Sequence, residues 1–432
     1  MARLVITTIG SSGDLHPFIA LGLALRERGH AVVFAVQEAF ARHARAEGFE
    51  ICLLSGDAQT LAPHMREMLT SSNPLSSMRV ISRHFLAPSL AENIELLRDL
   101  CADADMLIAS TGQVAASAVA ELTGVRWLTV ALSPTIPSAW IAPTREAARV
   151  PGAPGRLLNR ALWTVSGVAI ERISDSPLNA VRARYGLPPR RRLLQDGNLS
   201  PTFTAVAVSP SFCPRPPDWP VNVHTTGFLL WDTPADWSAP PALDDFLRGE
   251  RPVVAISSGS MGAETGDFFA SFFAASVAAV HDAGARALVI GAGGAFAADG
   301  PETLQVDYAP FSLVYPRCAA VIHHGGAGTL AQSLRAGVPS LLVPWGFDQF
   351  FHGVLVEQAG VGLTLARKRF TTERARAALT TLLYAPPFRE RARALASQIA
   401  QEDGVGTLRG AIEASLAQQP ARAPVAFKRT GE

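Results

Sequence analysis

The sequence contains few cysteines and no excess of charge of either sign. Its 432 residues include four cysteines, at positions 52, 101, 213 and 318, without the spacing of metal ligands or of a disulfide framework. The 38 lysines and arginines balance 37 aspartates and glutamates. This composition predicts a reduced, cytoplasmic protein without a structural metal, and it argues against nucleic acid as a partner.

Long apolar runs are also missing. The first strand-like run is interrupted by the polar turn from Gly10 to Asp14, so it is too short for a signal peptide and too polar to cross a bilayer. No other segment has the length of uninterrupted apolar residues that a membrane helix needs. We expect no transmembrane segment, while peripheral association with the inner face of a membrane stays open.

Strand and helix patterns alternate along the chain. It opens with a strand at Arg3–Thr8, a turn, a helix at Pro17–Arg28 and a strand at Ala31–Val36, and the alternation resumes at Met106–Ser110. This order predicts an α/β protein with parallel sheets covered on both faces. The length suits two domains of about 200 residues each.

Four prolines between Cys213 and Pro220 preclude a regular helix or central strand and suggest a domain boundary. The strand-and-helix pattern begins afresh at Pro252. The expected parts are an N-terminal domain over 1–213, a proline-rich linker over 214–222, a second domain over 223–400, a C-terminal helix over 401–418 and a disordered tail over 419–432. The C-terminal helix could return to the N-terminal domain.

The most informative stretch runs from Tyr308 to Gln349. An apolar run, Ala319–Ile322, leads into a glycine-rich turn, and a helix pattern then continues until Gly337. Unpaired N–H groups at a helix N-terminus bind phosphate when glycines let the ligand approach. The predicted phosphate contacts are His323, Gly325, Gly326, Gly328 and Thr329; the alternative is an ordinary tight turn.

Other candidate side chains follow strands of the predicted sheets. Asp348 and Gln349 come after a strand that ends at Val343, at the edge where open parallel sheets bind ligands. Asp14 follows the first strand, where it is either a catalytic carboxylate or a helix cap. Ser260 follows the strand after Pro252, where it could donate to a phosphate or simply stabilise a turn.

Two insertions, over 55–100 and 133–172, are rich in bulky apolar residues. Insertions at the ligand edge of such sheets often shape a substrate pocket, although core packing is the more common role of apolar side chains. The acceptor-binding candidates within them are Met65, Met78, Phe85 and Trp140.

Three blocks of the sequence resemble the family 1 glycosyltransferases of GT-B architecture: Gly10 to His30, Trp219 to Phe228, and Tyr308 to Gln349. The sequence is most similar to the bacterial branch that contains the rhamnosyltransferase of rhamnolipid synthesis, the sterol glucosyltransferases and the glycopeptide-antibiotic glycosyltransferases. The resemblance covers nearly the whole length. It implies two facing Rossmann-like domains with parallel sheets and a cleft between them.

The resemblance also implies roles for individual residues. Asp14 would be the general base, with Ser11 as a helper. His323 and its glycine-rich loop would contact the donor diphosphate together with Ser260. The remaining donor contacts would be Tyr308 over the nucleobase, the Ala309 backbone at the base edge, and Asp348 and Gln349 on the sugar hydroxyls.

Two positions depart from the family pattern. Ala331 stands where plant-type members have a glutamate that holds the ribose, which leaves the choice between UDP and dTDP open. His352 stands where the family usually has an asparagine, so the local packing or the donor contacts differ there.

The sequence therefore predicts an inverting, metal-independent glycosyltransferase without a cofactor. It would move a hexosyl or deoxyhexosyl unit, of rhamnosyl or glucosyl type, from a dTDP- or UDP-sugar to a hydroxyl of an apolar small molecule. The first pair that we consider is dTDP-rhamnose with a hydroxyacyl lipid, and the second is UDP-glucose with a sterol, polyketide or phenolic aglycone. Two rival functions are a non-catalytic nucleotide-sugar-binding partner of a transferase and a sugar-nucleotide epimerase on the same fold.

Overall fold

The computed structural model of the protein describes residues 1–56, 74–232, 237–259, 269–293, 296–297 and 300–418. Within these residues the chain forms two α/β domains, each built on one parallel sheet. The fold class predicted from the alternation of strands and helices is confirmed. The tail predicted to be disordered lies outside the described residues.

The sheet of the first domain has seven parallel strands in the order β3-β2-β1-β4-β5-β6-β7. They are β1 (Arg3–Thr7), β2 (Ala31–Gln37), β3 (Glu50–Leu54), β4 (Met106–Ser110), β5 (Arg126–Ala131), β6 (Thr204–Val206) and β7 (Val223–Thr225). Side chains alternate along each strand, so Leu4 and Ile6 pack in one apolar cluster and Val5 in the cluster on the opposite face. Both faces are therefore buried, as in other all-parallel sheets.

The proline-rich segment lies inside the first domain and not between the domains. Strand β7 follows this segment and pairs with β6, with Val223 opposite Thr204. The Arg215 guanidinium binds backbone carbonyls around the loop and folds it onto itself. The boundary predicted at 213–222 is thus too early, because prolines prevent regular structure without separating domains. The first domain continues at least to Thr225.

The sheet of the second domain has six parallel strands in the order β10-β9-β8-β11-β12-β13. They are β8 (Val253–Ser257), β9 (Arg286–Ile290), β10 (Thr303–Val306), β11 (Ala320–His323), β12 (Ser340–Leu342) and β13 (Gly362–Thr364). The strand order reverses between β8 and β11 here, and between β1 and β4 in the first sheet. Such reversals leave a crevice at the carboxyl ends of the strands.

Helices cover both faces of the two sheets. They are α1 (Ser12–Glu27), α2 (Glu38–Ala46), α3 (Pro74–Ile81), α4 (Ala87–Leu100), α5 (Ala115–Thr123), α6 (Arg145–Ala148), α7 (Gly152–Arg184), α8 (Pro241–Arg248), α9 (Ala270–Asp282), α10 (Phe311–Val314), α11 (Ala327–Arg335), α12 (Gln349–Ala359), α13 (Thr372–Tyr384), α14 (Pro386–Ile399) and α15 (Gly404–Ala417). None of the helices described combines the length and the apolar character that crossing a bilayer requires. Helix α1 begins at Ser12, before the predicted Pro17, because Ser11 and Asp14 form a capping box.

Helix α15 belongs spatially to the first domain. It packs against α1, and Leu408 and Ile412 enter the core of that domain. The chain therefore passes between the domains twice, before α8 and before α15. Gly227 and Gly404 meet in these two connections: a β-carbon on Gly227 would lie 2.9 Å from the Gly404 Cα, and the Gly227 φ is +104°.

Gly227→Ala should lower the free energy of unfolding by ~2 kcal/mol or more, since its positive φ and the contact with Gly404 both oppose a side chain. Gly410→Ala is the matched control, because a β-carbon at this exposed site in α15 meets nothing within 4 Å. The control should be stabilised by up to about 1 kcal/mol through helix propensity. Urea unfolding measures both; a wild-type midpoint for Gly227→Ala would contradict the close approach.

Candidate active site between two helix N-termini

The first turns of α1 and α11 meet between the domains. Each helix follows a strand at which the order of its sheet reverses, β1 for α1 and β11 for α11. The two helices are in contact, and a β-carbon built on Gly328 would lie 3.6 Å from both the Cα and the carbonyl oxygen of Gly13. Two positive helix ends, one from each domain, therefore meet at one point of the cleft.

Asp14 lies in the first turn of α1, and Ser11 holds its carboxylate. Oδ2 accepts hydrogen bonds from the Ser11 N–H at 2.7 Å and from the Ser11 hydroxyl at 2.8 Å. Burial raises the pKa of Asp14 to about 6, although both Ser11 bonds lower it. Among the described contacts no donor reaches Oδ1, which can therefore receive a proton from an incoming hydroxyl. A carboxylate with this pKa is a stronger base than usual and still ionised at neutral pH.

Asp348 faces Asp14 from the other domain. Its negative charge contributes to the raised pKa of Asp14, so the two carboxylates are close enough to interact. Asp348 immediately precedes α12, and its side chain is 30% exposed. The structure thus brings together the predicted base and one member of the predicted sugar-binding pair.

His323 is the last residue of β11, and its ring is fully buried. Nδ1 accepts the Gly325 N–H at 3.1 Å, so the proton of the neutral ring is on Nε2. Burial, together with the neighbouring His324 and His352, holds the pKa of His323 well below its usual value. Nε2 has no hydrogen-bond partner among the described residues. An acceptor oxygen of a ligand would satisfy this buried N–H.

The loop after His323 opposes side chains at its first two glycines, Gly325 and Gly326. Gly325 has a φ of +94°, and a β-carbon on Gly326 would lie 2.4 Å from His324 Nε2. Gly326 caps α11, and Thr329 in its first turn is buried. Bare N–H groups therefore line the start of the helix, which is the arrangement that binds phosphate.

A serine that was not among the predicted site residues lies at the same edge of the sheet. Strand β8 pairs with β11 so that Ser257 is opposite His323. The next residue, Ser258, is fully buried, and its hydroxyl has no partner in the described part of the chain. The signal in the sequence was the serine pair at the end of the strand. Ser260, the predicted phosphate contact, lies outside the described residues.

Gln349 braces the loop that carries Asp348. It is buried, and its Oε1 accepts the N–H groups of Trp345 at 2.8 Å and Gly346 at 3.1 Å. Its predicted contact with sugar hydroxyls stays a prediction. The same holds for the nucleobase contacts: Tyr308 follows β10 and is 54% exposed, and Ala309 is buried.

Comparisons with known proteins identify the family. The N-terminal domain of glycosyltransferase family 28 matches residues 4–140, and the erythromycin biosynthesis protein CIII-like C-terminal domain matches residues 275–405. The O-mycaminosyltylonolide 6-deoxyallosyltransferase of Streptomyces fradiae is 32% identical over 93% of this chain and 95% of its own length. This chain is a family 1 glycosyltransferase. Glycosyltransferase GtfE of Amycolatopsis orientalis is 28% identical over 98% of this chain and 100% of its own.

Solved structures show the same fold. The glycotransferase of kitacinnamycin has a TM-score of 0.70 at 20% identity and covers 96% of this chain and 98% of its own. Glycosyltransferase VinC, solved with dTDP, has a TM-score of 0.66 at 20% identity and covers 96% of this chain and 100% of its own. The GT-B fold implied by the sequence resemblance is therefore confirmed.

The acceptor-binding candidates of this glycosyltransferase are not brought together. Phe85 packs in the core of the first domain, and Met78 is partly buried on α3. Trp140 is 55% exposed and lines a separate cavity of about 610 Å³ that includes none of the predicted donor residues. Met65 lies outside the described residues.

A link between the domains was also missed. The His352 ring contacts Ser133 of the first domain and Gly325 of the donor loop, at 2.9 and 2.7 Å. The sequence showed that His352 departs from the family pattern, but it predicted no contact for this side chain. Ser133 is far away along the chain, and only the packing of α12 against the first domain reveals the contact.

Gly328→Ala should have little effect on the stability of the folded transferase, whereas Gly326→Ala should lower it. Gly326→Ala must displace the His324 ring, which should cost ~1–3 kcal/mol of unfolding free energy. Gly328→Ala makes only ordinary contact with Gly13 and should be neutral or slightly stabilising. Urea unfolding of the ligand-free protein gives both values, and equal stabilities would contradict the tight packing around His324.

Proposed function

We propose that this enzyme is an inverting, metal-independent glycosyltransferase that moves a deoxyhexosyl unit from a dTDP-sugar to a hydroxyl of a polyketide-type acceptor. The observation that carries the proposal is a carboxylate of raised pKa, Asp14, at the meeting point of two helix N-termini. The names of the relatives support the donor and acceptor classes. One transfers a 6-deoxyallosyl unit to a tylonolide, and a structural neighbour was solved with dTDP.

The protein itself supplies hydrogen-bond donors with partial positive charge for the leaving diphosphate. The N–H groups at the start of α11 and the Nε2–H of His323 converge on one edge of the sheet. Negative charge grows on the diphosphate as the bond to the sugar breaks, and preorganised donors stabilise that charge.

Asp14 activates the acceptor in this mechanism. Its Oδ1 takes the hydroxyl proton while the acceptor oxygen forms a bond to the anomeric carbon. The bond from that carbon to the diphosphate oxygen breaks at the same time, and dTDP leaves with the electron pair. Attack from the face opposite the leaving group inverts the anomeric configuration.

The family assignment favours transfer over the two rival functions. The Streptomyces fradiae relative is named as a transferase, and this chain retains a carboxylate pair, Asp14 and Asp348, that a purely nucleotide-binding partner would not need. A hydroxyacyl lipid acceptor stays a second candidate. Incubation with dTDP-deoxyhexoses and a panel of macrolactone, sterol and hydroxyacyl acceptors separates the classes, and an epimerase would change the sugar without any acceptor.

Asp14→Asn should lower the transfer rate by about a thousandfold, because the amide cannot accept the proton. Its affinity for dTDP should stay near that of the wild type, because Asp14 lies on α1 and the diphosphate loop on α11. Ser11→Ala is the matched control: it removes a bond that lowers the Asp14 pKa, so its activity should persist with the acidic limb of the rate profile moved to higher pH. Full activity of Asp14→Asn would exclude Asp14 as the base.

Asp14→Asn should also be more stable than the wild type at alkaline pH. The pKa of Asp14 is raised from 3.8 to about 6, so the folded protein holds this proton more tightly than the unfolded chain does. The stability that it contributes is fully present below pH 3.8 and is lost as the pH rises through about 6. Thermal melts should therefore show Asp14→Asn more stable than the wild type at pH 8 and equal to it at pH 4. A reversed order at pH 8 would show that the carboxylate is not penalised by burial.

A further inference from the structure

His352 joins three parts of the site that come from different parts of the chain. Its Nδ1 lies 2.7 Å from the Gly325 carbonyl oxygen, and its Nε2 lies 2.9 Å from the Ser133 hydroxyl. The Asp348 carboxylate lies 3.7 Å from the same Nε2. The ring is 2% exposed, so these contacts are shielded from solvent.

The hydrogen-bond partners fix the direction of both bonds. A backbone carbonyl can only accept, so the His352 Nδ1 carries a proton and donates to Gly325. In the neutral ring Nε2 then accepts the Ser133 hydroxyl proton. One imidazole thus holds the glycine loop on one side and the first domain on the other.

Helix α12 is one of the elements of the second domain that pack against the first. Phe351 packs against Trp163 with ring centroids 5.9 Å apart, and Val354 joins a small apolar cluster of the first domain. Arg145 and Glu357 form an ion pair at 2.7 Å across the same interface, with side chains 40% and 22% exposed. The helix begins directly after Asp348, so the packing of α12 against the first domain determines the position of the Asp348 carboxylate.

We propose that His352 is a positioning residue that links domain alignment to the donor site through its bonds to Ser133 and Gly325. The Ser133 bond holds the Asp348 carboxylate and the His323 loop at fixed positions relative to Asp14. This inference rests on the proposed function for its effect on transfer, and on the interdomain contact alone for its effect on the ligand-free protein.

Three substitutions separate the two bonds. His352→Asn places an amide near the position of Nδ1, so this variant keeps the hydrogen bond to Gly325 and loses the one to Ser133. His352→Gln reaches the position of Nε2, so it keeps the Ser133 bond and loses Gly325. Ser133→Ala removes the interdomain bond from the other side. Arg145→Gln is the matched control, since it breaks the partly exposed ion pair with Glu357 in the same interface and leaves both bonds of His352 intact.

The first readout is amide hydrogen exchange in the ligand-free protein. Ser133→Ala and His352→Asn should speed exchange in the first turns of α12, by about tenfold, because each leaves a buried polar group unpaired. Arg145→Gln should leave exchange there within about twofold of the wild type. Wild-type exchange in Ser133→Ala, or equal acceleration by Arg145→Gln, would overturn the link.

The second readout is the split between nucleotide affinity and turnover. Ser133→Ala and His352→Asn should keep the dTDP affinity while kcat falls about tenfold, because they affect alignment and not the loop. His352→Gln should weaken dTDP binding about tenfold, since the Gly325 carbonyl loses its donor. The double variant of His352→Asn with Ser133→Ala should be no slower than His352→Asn alone. Additive losses, or unchanged kcat in Ser133→Ala, would contradict the proposal.

The two hypotheses fail separately. If the wild-type protein binds no nucleotide, the proposed function fails while hydrogen exchange still decides the interdomain link. If the wild type binds dTDP and transfers sugar but Ser133→Ala matches it in exchange and in kcat, the positioning role of His352 fails alone.

Discussion

The contact between the first turns of α1 and α11 constrains the rest of the structure. Gly13 and Gly328 lie in contact at this point, since a β-carbon on Gly328 would lie 3.6 Å from Gly13. Their meeting places two positive helix ends, one from each domain, beside a single crevice. Asp14 enters that crevice from one domain and Asp348 from the other. The site therefore exists only when the domains are aligned, and the packing of α12 and α15 against the first domain maintains that alignment.

Three polar groups in the site destabilise the folded protein when no ligand is bound. The Nε2–H of His323 and the hydroxyl of Ser258 have no partner among the described residues, and burial makes the Asp14 carboxylate harder to ionise. Each such group lowers stability in the ligand-free protein. All three lie at the carboxyl edges of the sheets, where a donor phosphate or an acceptor hydroxyl would satisfy them. Ligand binding would therefore offset the loss of stability at these three groups.

Local patterns in the sequence predicted the strands, the glycine loop and the position of Asp14, because each depends on residues close together in the chain. The interdomain groups were harder to predict. Ser133 and His352 pair across the domain interface, and the family pattern gave no partner for a histidine at that position. The predicted domain boundary is too early, because prolines interrupt regular structure without separating domains, and β7 follows them and completes the first sheet. Acceptor residues depend on the shape of insertions, which composition alone does not determine.

Nucleotide binding at the start of α11 is the property on which the proposed mechanism depends most directly. We would titrate the folded, EDTA-treated protein with dTDP and then with UDP in a calorimeter. We expect binding without added metal, because the helix N–H groups and the Nε2–H of His323 supply hydrogen bonds and partial positive charge to a diphosphate. The dTDP-sugar donor proposed above predicts tighter binding of dTDP than of UDP. Failure of both nucleotides to bind to folded protein would contradict the site. Binding that appears only after a divalent cation is restored would contradict its metal independence.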